Sequence, residues 1–149
     1  MAARVDDLPE RSLPEGVRVE PVSDAQDAAA VARVERSLLD PKDGSDIPER
    51  FYGPSSYGVE GAQAFVAWEG SEPVGIASAH LREGAVGILG VGVVPHARRR
   101  GIASALSVIA ARAFPADLAW LHAAEGAQSM YTQVGFREVA EWEIWVRPD

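Results

Sequence analysis

The fold of this chain is decided by residues 93–106, where a strand, a loop and the start of a helix follow one another. Their sequence is Val93-Val94-Pro95-His96-Ala97-Arg98-Arg99-Arg100-Gly101-Ile102-Ala103-Ser104-Ala105-Leu106. The first N–H groups of a helix have no partner inside it and carry the positive end of its dipole, so this junction attracts phosphate. Gly101 has no Cβ to hold a ligand away from the backbone, and three arginines add positive charge. The stretch predicts an anion-binding turn, although a glycine turn with solvated arginines has the same local sequence.

The residues before this stretch predict an antiparallel meander of three strands. The strands are expected at 64–68, 74–81 and 85–94, with turns at 69–73 and 82–84. Gly90 and Gly92 in the last strand are typical of a β-bulge, but two strand glycines can equally do no more than relieve crowding.

A strand and a helix are predicted nearer the start of the chain. The strand covers 17–22, and Ser23 and Gln26 have the spacing of a capping box, in which each side chain bonds a free backbone N–H. Pro41 disfavours helix at the preceding residue and ends this element. The apolar face of the helix consists of Val31, Val34 and Leu38. The connection that follows is expected to hold a short helix from Ile47 to Tyr52.

The residues after the stretch predict a helix that ends by Pro115, followed by shorter elements. The apolar positions of that helix are Ile102, Leu106, Ile109 and Ala113. The later elements are a strand at 118–123, a helix at 128–134 ended by Gly135, and a final strand or bent pair at 136–146. Residues 1–16 lack periodicity and are predicted to be an N-terminal tail outside the core, partly disordered. Residues 17–149 are then expected to form a single domain.

Composition limits the functions open to the chain. It has 149 residues and no cysteine, which excludes disulfides, thiolate metal sites and a covalent acyl-cysteine intermediate. Its net charge of −8 argues against a nucleic-acid partner, because phosphate backbones bind basic faces. No segment approaches the roughly twenty apolar residues of a membrane span, and the N-terminus lacks a signal peptide's apolar stretch. We therefore expect a cytoplasmic protein that binds neither nucleic acid nor membranes and has no metal site.

Two motifs resemble those of the GNAT superfamily of N-acetyltransferases. Arg98-x-x-Gly101-x-Ala103 is similar to its acyl-CoA signature, Gln/Arg-x-x-Gly-x-Gly/Ala. About thirty residues later, Met130-Tyr131-Thr132-Gln133-Val134-Gly135-Phe136 resembles its Leu-Tyr-x-x-x-Gly-Phe element. Two spaced motifs in this order, after an apolar strand, favour acyl-CoA binding over a general anion site. The resemblance implies an α/β fold with a mixed, mostly antiparallel sheet of six to seven strands and about four helices. The sheet would splay between the predicted strands at 85–94 and 118–123.

The resemblance also implies a cofactor, acetyl-CoA, and the residues that hold it. The amine of an acceptor would attack the thioester directly in a ternary complex, which agrees with the absence of cysteine. An outward-turned N–H near the two strand glycines, of Val91 or Val93, would polarise the thioester carbonyl. The expected cofactor-binding residues are Val91, Val93, Val94, Arg98, Arg99, Arg100, Gly101, Ile102, Ala103, Ser104 and Tyr131.

Two residues are candidates for proton transfer. Tyr131 matches the family's tyrosine that protonates the departing thiolate, and a phenol with a pKa of about 10 is protonated at neutral pH. A core tyrosine on an amphipathic helix is the alternative. His122, near the end of a predicted strand, is the best placed of four titratable residues, although a histidine on a strand is more often structural. The other three are His80, Glu83 and Glu125.

Two positions depart from the family pattern. Some members carry a glutamate that acts as general base near the start of the fourth strand, where this chain has Gly87. An asparagine that is frequent in the family seven residues before the tyrosine is replaced by Ala124 here. The general base is therefore unassigned. No dedicated base would be needed if water relayed the proton or if the amine arrived neutral.

The acceptor is predicted to be a small-molecule or peptide amine, bound by a monomer or homodimer. The connection after the first predicted helix is acidic and aromatic, so it could line a pocket for a cationic amine with aromatic rings and negative charge. A solvated loop is the simpler interpretation. Its members are Asp40, Asp43, Asp46, Glu49, Phe51, Tyr52 and Tyr57. A module that binds acyl-CoA without turnover is the main alternative function, and a nucleic-acid patch at the arginines is disfavoured by the acidic charge.

Overall fold

The computed structural model describes residues 1–38 and 59–141, which form a mixed six-stranded sheet with helices on both faces. The strands are β1 (Ala2–Arg4), β2 (Val17–Pro21), β3 (Ala62–Glu69), β4 (Glu72–Arg82), β5 (Ala85–Val93) and β6 (Leu118–Leu121). The helices are α1 (Ala25–Leu38), α2 (Ile102–Ala111) and α3 (Gln128–Val134). Across the sheet the order is β1-β6-β5-β4-β3-β2, and every pair is antiparallel except β5 with β6. Within the described ranges, no helix is long and apolar enough to cross a membrane.

The predicted sheet is confirmed, including its mostly antiparallel character and the order of its elements. β3 and β4 extend one or two residues beyond the predicted ends, because cross-strand pairing continues into the turns, and β5 ends one residue earlier than predicted. The tight turn between β4 and β5 places Glu83 and Gly84 at positive φ, as a two-residue hairpin of type I′ requires. The described ranges contain three α-helices rather than about four, and the predicted helix at 47–52 lies outside them. So do the acidic and aromatic connection from Asp40 to Tyr57 and most of the predicted final strand.

The N-terminal residues correct the prediction of a tail outside the core. β1 is an edge strand that pairs with β6, and the Met1 ammonium donates to the carbonyl oxygen of Leu121 at 2.8 Å. Val5 and Leu8 are 7% and 3% exposed and join the core. Two buried side chains are too few to show periodicity in the sequence. The partner that orders this segment lies more than a hundred residues away along the chain, so local sequence carries no signal of the pairing.

The start of α1 differs by one residue from the predicted capping box. Asp24 is the cap, because its Oδ1 accepts the N–H groups of Gln26 and Asp27 at 2.8 and 2.9 Å. The Asp27 carboxylate reaches back to the N–H and hydroxyl of Ser23 at 3.0 and 3.1 Å. The reciprocal bonding is that of a capping box, with aspartates in both roles.

Two glycines show that α1 and α2 cover opposite faces of the sheet. A Cβ on Gly92 would lie 2.1 Å from Leu38 Cδ1 of α1. A Cβ on Gly75 would instead lie 3.1 Å from Leu106 Cδ1 of α2. Gly92 is paired with Ile76, the residue after Gly75, and successive strand residues point to opposite faces. We call the two sides the α1 face and the α2 face.

Gly75 sets how closely the first turn of α2 approaches the sheet. We expect Gly75→Ala to lower the free energy of unfolding by about 1–3 kcal/mol, because the added methyl overpacks a filled site. It would meet the Gly92 carbonyl oxygen at 3.1 Å and Cγ2 of the buried Ile102 at 3.3 Å. Gly126→Ala is the matched control, since no described residue lies within 4 Å of its Cβ position, and its effect should stay within about 0.5 kcal/mol. Equal urea midpoints for the two variants would contradict the packing argument.

The sheet opens between β5 and β6, as predicted. The two strands pair in parallel only from Ala85 to Ile88 of β5 and from Leu118 to Leu121 of β6. From Leu89 to Val93 the edge of β5 has no strand beside it within the described part of the chain. The opening lies next to the start of α2 and exposes backbone groups of β5.

Candidate functional site

The turn before α2 has the backbone geometry of an anion site. Gly101 is the N-cap of α2 in the left-handed conformation, with φ of +86°, and no side chain caps the helix. The N–H groups of Ile102, Ala103 and Ser104 lie in the first turn, where a helix provides no acceptor. Among the residues that the structure describes, none lies within 4 Å of a Cβ placed on Gly101, so they leave the space beside this N-cap open. These N–H groups are directed towards that open space, where they can bind an anion.

The three arginines of the turn have different surroundings. Arg98 donates from Nε to the carbonyl oxygen of Val93 at 3.0 Å, which ties the turn to the end of β5. Arg100 forms a two-point pair with the Glu69 carboxylate, at 2.6 and 3.0 Å. The hydrogen bond from Arg100 lowers the pKa of Glu69, so this carboxylate is ionised at neutral pH. Arg99 has a positive φ of +64° and an exposed side chain. Of the three, Arg99 has its guanidinium most accessible to a ligand.

The predicted bulge in β5 is confirmed. The pairing of β4 with β5 shifts by one residue between Ile76 and Ser78, so Gly90 and Val91 together oppose one residue of β4. Gly90 has φ of +61°, a conformation that glycine adopts without strain. The bulge lies just beyond the last residue of β5 that pairs with β6.

The backbone of Val93 faces the opening between β5 and β6. The N–H of Val94 donates to the Val74 carbonyl oxygen at 3.0 Å, so Val94 belongs to the ladder with β4. Successive residues of a strand direct their backbone groups to alternate sides. Val93 therefore directs its N–H and carbonyl away from β4, and the carbonyl is the group that accepts from Arg98. The end of β5 thus offers an N–H donor at the opening.

Tyr131 lies on the α2 side of the sheet. Its side chain is 6% exposed, packs edge-on against Phe136 with ring centroids 6.0 Å apart, and has Ser107 of α2 as a neighbour. Burial raises the pKa of the phenol, and the Ser107 hydroxyl offsets part of this rise. The phenol is therefore protonated well above neutral pH. The Tyr131 ring also belongs to the core, so it has the packing role that the sequence left as an alternative.

His122 lies on the other face. Its ring is 5.4 Å from that of Trp120, and Trp120 lies over Gly87 on the α1 face, with Cζ2 2.8 Å from the Cβ position of that glycine. His80 is paired with Gly87 and shares this face. The structure therefore does not bring His122 and Tyr131 together, because the sheet lies between them.

A carboxylate that the sequence interpretation passed over lies beside the bulge. Glu35 of α1 has Oε1 4.0 Å from the Cβ position of Gly90, and its Oε2 is buried without a hydrogen-bond partner among the described residues. Burial raises the pKa of this carboxyl group. The sequence does carry a signal for it: Glu35 is four residues after Val31 and follows Val34, so it interrupts the apolar face of α1.

A cavity described by the structure lies away from these groups. It has a volume of about 670 Å³ and is formed by the N-terminal segment, β2, β3 and the middle of α2. Its lining includes Glu10, Arg11, Phe65, Val108 and Arg112, and none of residues 98–104. The candidate site is thus the opening between β5 and β6, together with the turn before α2.

Comparison with known families identifies the chain. The acetyltransferase (GNAT) domain family matches residues 60–138, just over half of the 149 residues. The chain belongs to the GNAT acetyltransferase family. The match includes the bulge in β5, the turn before α2 and Tyr131. A comparison with curated proteins found no match.

The fold of this GNAT acetyltransferase is similar to several solved structures. A GCN5-related N-acetyltransferase from Kribbella flavida is 24% identical with a TM-score of 0.68, over 91% of this chain and 52% of that chain. The aminoglycoside acetyltransferase meta-AAC0020 from an uncultured soil metagenomic sample, in complex with sisomicin, is 14% identical with a TM-score of 0.69, over 89% and 97%. AAC(6')-Iy with the bisubstrate analog CoA-S-monomethyl-acetylneamine is 17% identical with a TM-score of 0.69, over 89% and 99%. The chain spans about half the length of the Kribbella flavida protein, and these likenesses concern the fold.

Proposed function

We propose that the chain transfers an acetyl group from acetyl-CoA to a primary amine by direct attack within a ternary complex. The observation that carries this proposal is the uncapped start of α2 at Gly101, with open space before it and an opened sheet edge beside it. Family membership supports acyl transfer as the reaction class. Among the structural neighbours is one solved with a CoA-containing bisubstrate analog.

The residues of the turn fit a pyrophosphate. The backbone N–H groups from Gly101 to Ser104 would hold it, because they have no acceptor in the helix and no side chain caps them. Arg99 would add the most accessible positive charge, while Arg98 and Arg100 hold the turn to β5 and β3 through Val93 and Glu69. This division refines the sequence interpretation, in which all three arginines were placed in the cofactor site.

Two groups of the chain would act on the reacting atoms. When bound, acetyl-CoA supplies an acetyl thioester whose carbonyl carbon accepts the amine. The N–H of Val93, which faces the opening, would donate to the carbonyl oxygen and stabilise the negative charge that develops there. Tyr131 would donate its phenolic proton to the sulfur as it leaves, since burial keeps the phenol protonated at neutral pH. Val91 in the bulge remains the second candidate for the backbone donor.

The acceptor would be a small-molecule or peptide amine. Two of the structural neighbours are aminoglycoside acetyltransferases, which makes amino sugars a reasonable first class to test. We propose that the amine enters over the α1 face, because Tyr131 and α2 occupy the other side of the sheet. His122 lies on this entry face, where its ring packs against Trp120.

The test is release of free CoA thiol from acetyl-CoA in the presence of a panel of amino sugars, polyamines and peptide N-termini. We expect at least one amine to accelerate thiol release, and acetyl-CoA to raise the melting temperature. A raised melting temperature without turnover across the panel would favour the alternative, a module that binds acyl-CoA and has lost turnover. Absence of both effects would refute the proposed function.

A further inference from the structure

Some members of the family have a glutamate on the strand equivalent to β5 that acts as the general base. In this chain the corresponding position has no room for a side chain. That position is Gly87 of β5, and a Cβ there would lie 2.8 Å from Cζ2 and 3.0 Å from Cε2 of the Trp120 indole. Trp120 is paired with Gly87 across β5 and β6, and three atoms of its indole lie within 3.4 Å of the Cβ position of that glycine. A side chain on Gly87 would have to displace the indole. A carboxylate for the reaction therefore has to come from another element.

Glu35 of α1 supplies a carboxylate on the same face. Gly87 is paired with His80 of β4, and His80 shares a face with Ile76 and Gly92, which is the face that α1 covers. Oε1 of Glu35 lies beside the bulge, 4.0 Å from the Cβ position of Gly90. Gly92 leaves room for Leu38, whose Cδ1 would lie 2.1 Å from a Cβ at that position. Gly92 thus lets the last turn of α1 lie close over β5.

The second carboxylate oxygen of Glu35 lacks a partner. Oε2 is buried and accepts no hydrogen bond from the described residues, a costly state for a group that ionises. Such a group calls for an explanation, and a ligand that donates a hydrogen bond or a proton provides one. A cationic amine entering over the α1 face would meet this oxygen beside the opening of the sheet.

We propose that Glu35 is the proton acceptor for the attacking amine, in place of a glutamate on β5. This inference rests on the proposed function, because it assigns a residue to that reaction. Glu35 takes one proton from the ammonium nitrogen of the acceptor. The lone pair so released forms the C–N bond while the C–S bond breaks, and the sulfur takes that electron pair and the Tyr131 proton. The second proton lost by the nitrogen returns to Tyr131 through water, so one proton per turnover leaves through Glu35.

The titratable and charged groups near Glu35 determine which ionisations a pH profile of activity will show. Of the described strands over which α1 lies, β3 and β5 present only apolar residues and glycine to this face. The titratable or charged residues on this face are Arg18 and Glu20 of β2, His80 and Arg82 of β4, and His122 after β6, while α1 itself carries Asp27, Arg33 and Arg36. Desolvation raises the pKa of Glu35. A general base is inactive once it is protonated, so the raised pKa moves the fall in activity at acid pH, the acid limb of the profile, towards neutral pH.

The test compares wild type, Glu35→Gln, Glu35→Asp and His122→Gln over a range of pH with an active amine. We expect Glu35→Gln to lower kcat/KM about 100-fold and to remove the acid limb, as loss of a general base does. Glu35→Asp should retain the limb with intermediate activity, because the carboxylate remains but is withdrawn by one methylene. Glu138→Gln, at an exposed carboxylate, is the matched control and should behave as wild type.

A stability measurement provides a readout that does not depend on turnover. Because the pKa of Glu35 is raised in the folded state, its stabilising contribution is full below the unfolded pKa and is lost as the pH rises through the folded pKa. Glutamine stays neutral throughout. The melting temperature of Glu35→Gln should therefore exceed that of wild type at neutral pH, with the difference vanishing in acid.

Three outcomes would overturn the assignment. They are kcat/KM of Glu35→Gln within about twofold of wild type, loss of the acid limb in His122→Gln instead, and no pH-dependent difference in melting temperature. If the wild type turns over amines and Glu35→Gln matches it, only the role of Glu35 fails. A wild type that turns over no amine refutes the proposed function and the base with it.

Discussion

Gly101→Glu abolishes the rise in melting temperature that acetyl-CoA produces in the wild type; this is the largest effect we expect. The substitution places bulk and negative charge in the open space before α2, where the N–H groups of residues 101–104 are proposed to bind the pyrophosphate. For wild type at one hundred times the dissociation constant, binding adds about 2.7 kcal/mol to the free energy of unfolding. In a domain of this size that corresponds to about 5–10 °C. The variant should show a rise below about 1 °C.

Gly84→Glu is the matched control for this experiment. Gly84 has φ of +78° against +86° for Gly101, and a Cβ at either position has no atom of the described segments within 4 Å. Both variants thus acquire the same charge and a similar backbone strain, but Gly84 lies in the hairpin at the other end of β5. The control should begin with a lowered melting temperature and keep the full acetyl-CoA response. A full response in Gly101→Glu as well would place the phosphate site elsewhere.

Tyr131→Phe should lower kcat about 100-fold and leave the dissociation constant of acetyl-CoA unchanged. The variant keeps the ring that packs against Phe136 and removes only the hydroxyl, so the loss reports proton donation rather than packing. Because burial raises the pKa of the phenol, wild type should retain activity into mildly alkaline solution before the acid is lost. Stopped-flow thiol detection and calorimetric binding measure the two constants separately.

Thr132→Val is the control for the loss of a hydroxyl on the same helix. The Thr132 hydroxyl donates to the Gln128 carbonyl oxygen at 3.0 Å on the exposed side of α3. Its removal should leave kcat unchanged. If Tyr131→Phe is as fast as Thr132→Val, the tyrosine is a core residue only and another group protonates the sulfur.

The sequence was most informative where a short run of residues sets both the backbone conformation and the candidate site. The turn from Arg98 to Ser104 was identified from a glycine, an alanine and a helix start, and the structure has Gly101 in the left-handed conformation at that helix start. The bulge was one of two interpretations of Gly90 and Gly92, and Gly90 has the positive φ that glycine adopts without strain. The meander followed from alternating apolar residues and turn signals.

Nonlocal contacts limited the prediction elsewhere. The N-terminal strand depends on β6, so residues 1–16 were interpreted as a tail. His122 and Tyr131 were each candidates for proton transfer, but they lie on opposite sides of the sheet because the chain crosses from β6 to α3 between them. Glu35 was passed over, because its burial depends on how α1 lies over β5.

The sequence by itself determined the order of strands and helices from β2 onwards, the glycine turn before α2 and the family, because hydrophobic periodicity, glycine conformation and helix starts are local properties. The tertiary structure decided which groups share a face of the sheet. Face assignment depends on strand register, and one residue inserted at the bulge changes that register for the rest of β5. Only the folded chain therefore shows that Trp120 closes the Gly87 position and that Glu35 of α1 lies beside the opening.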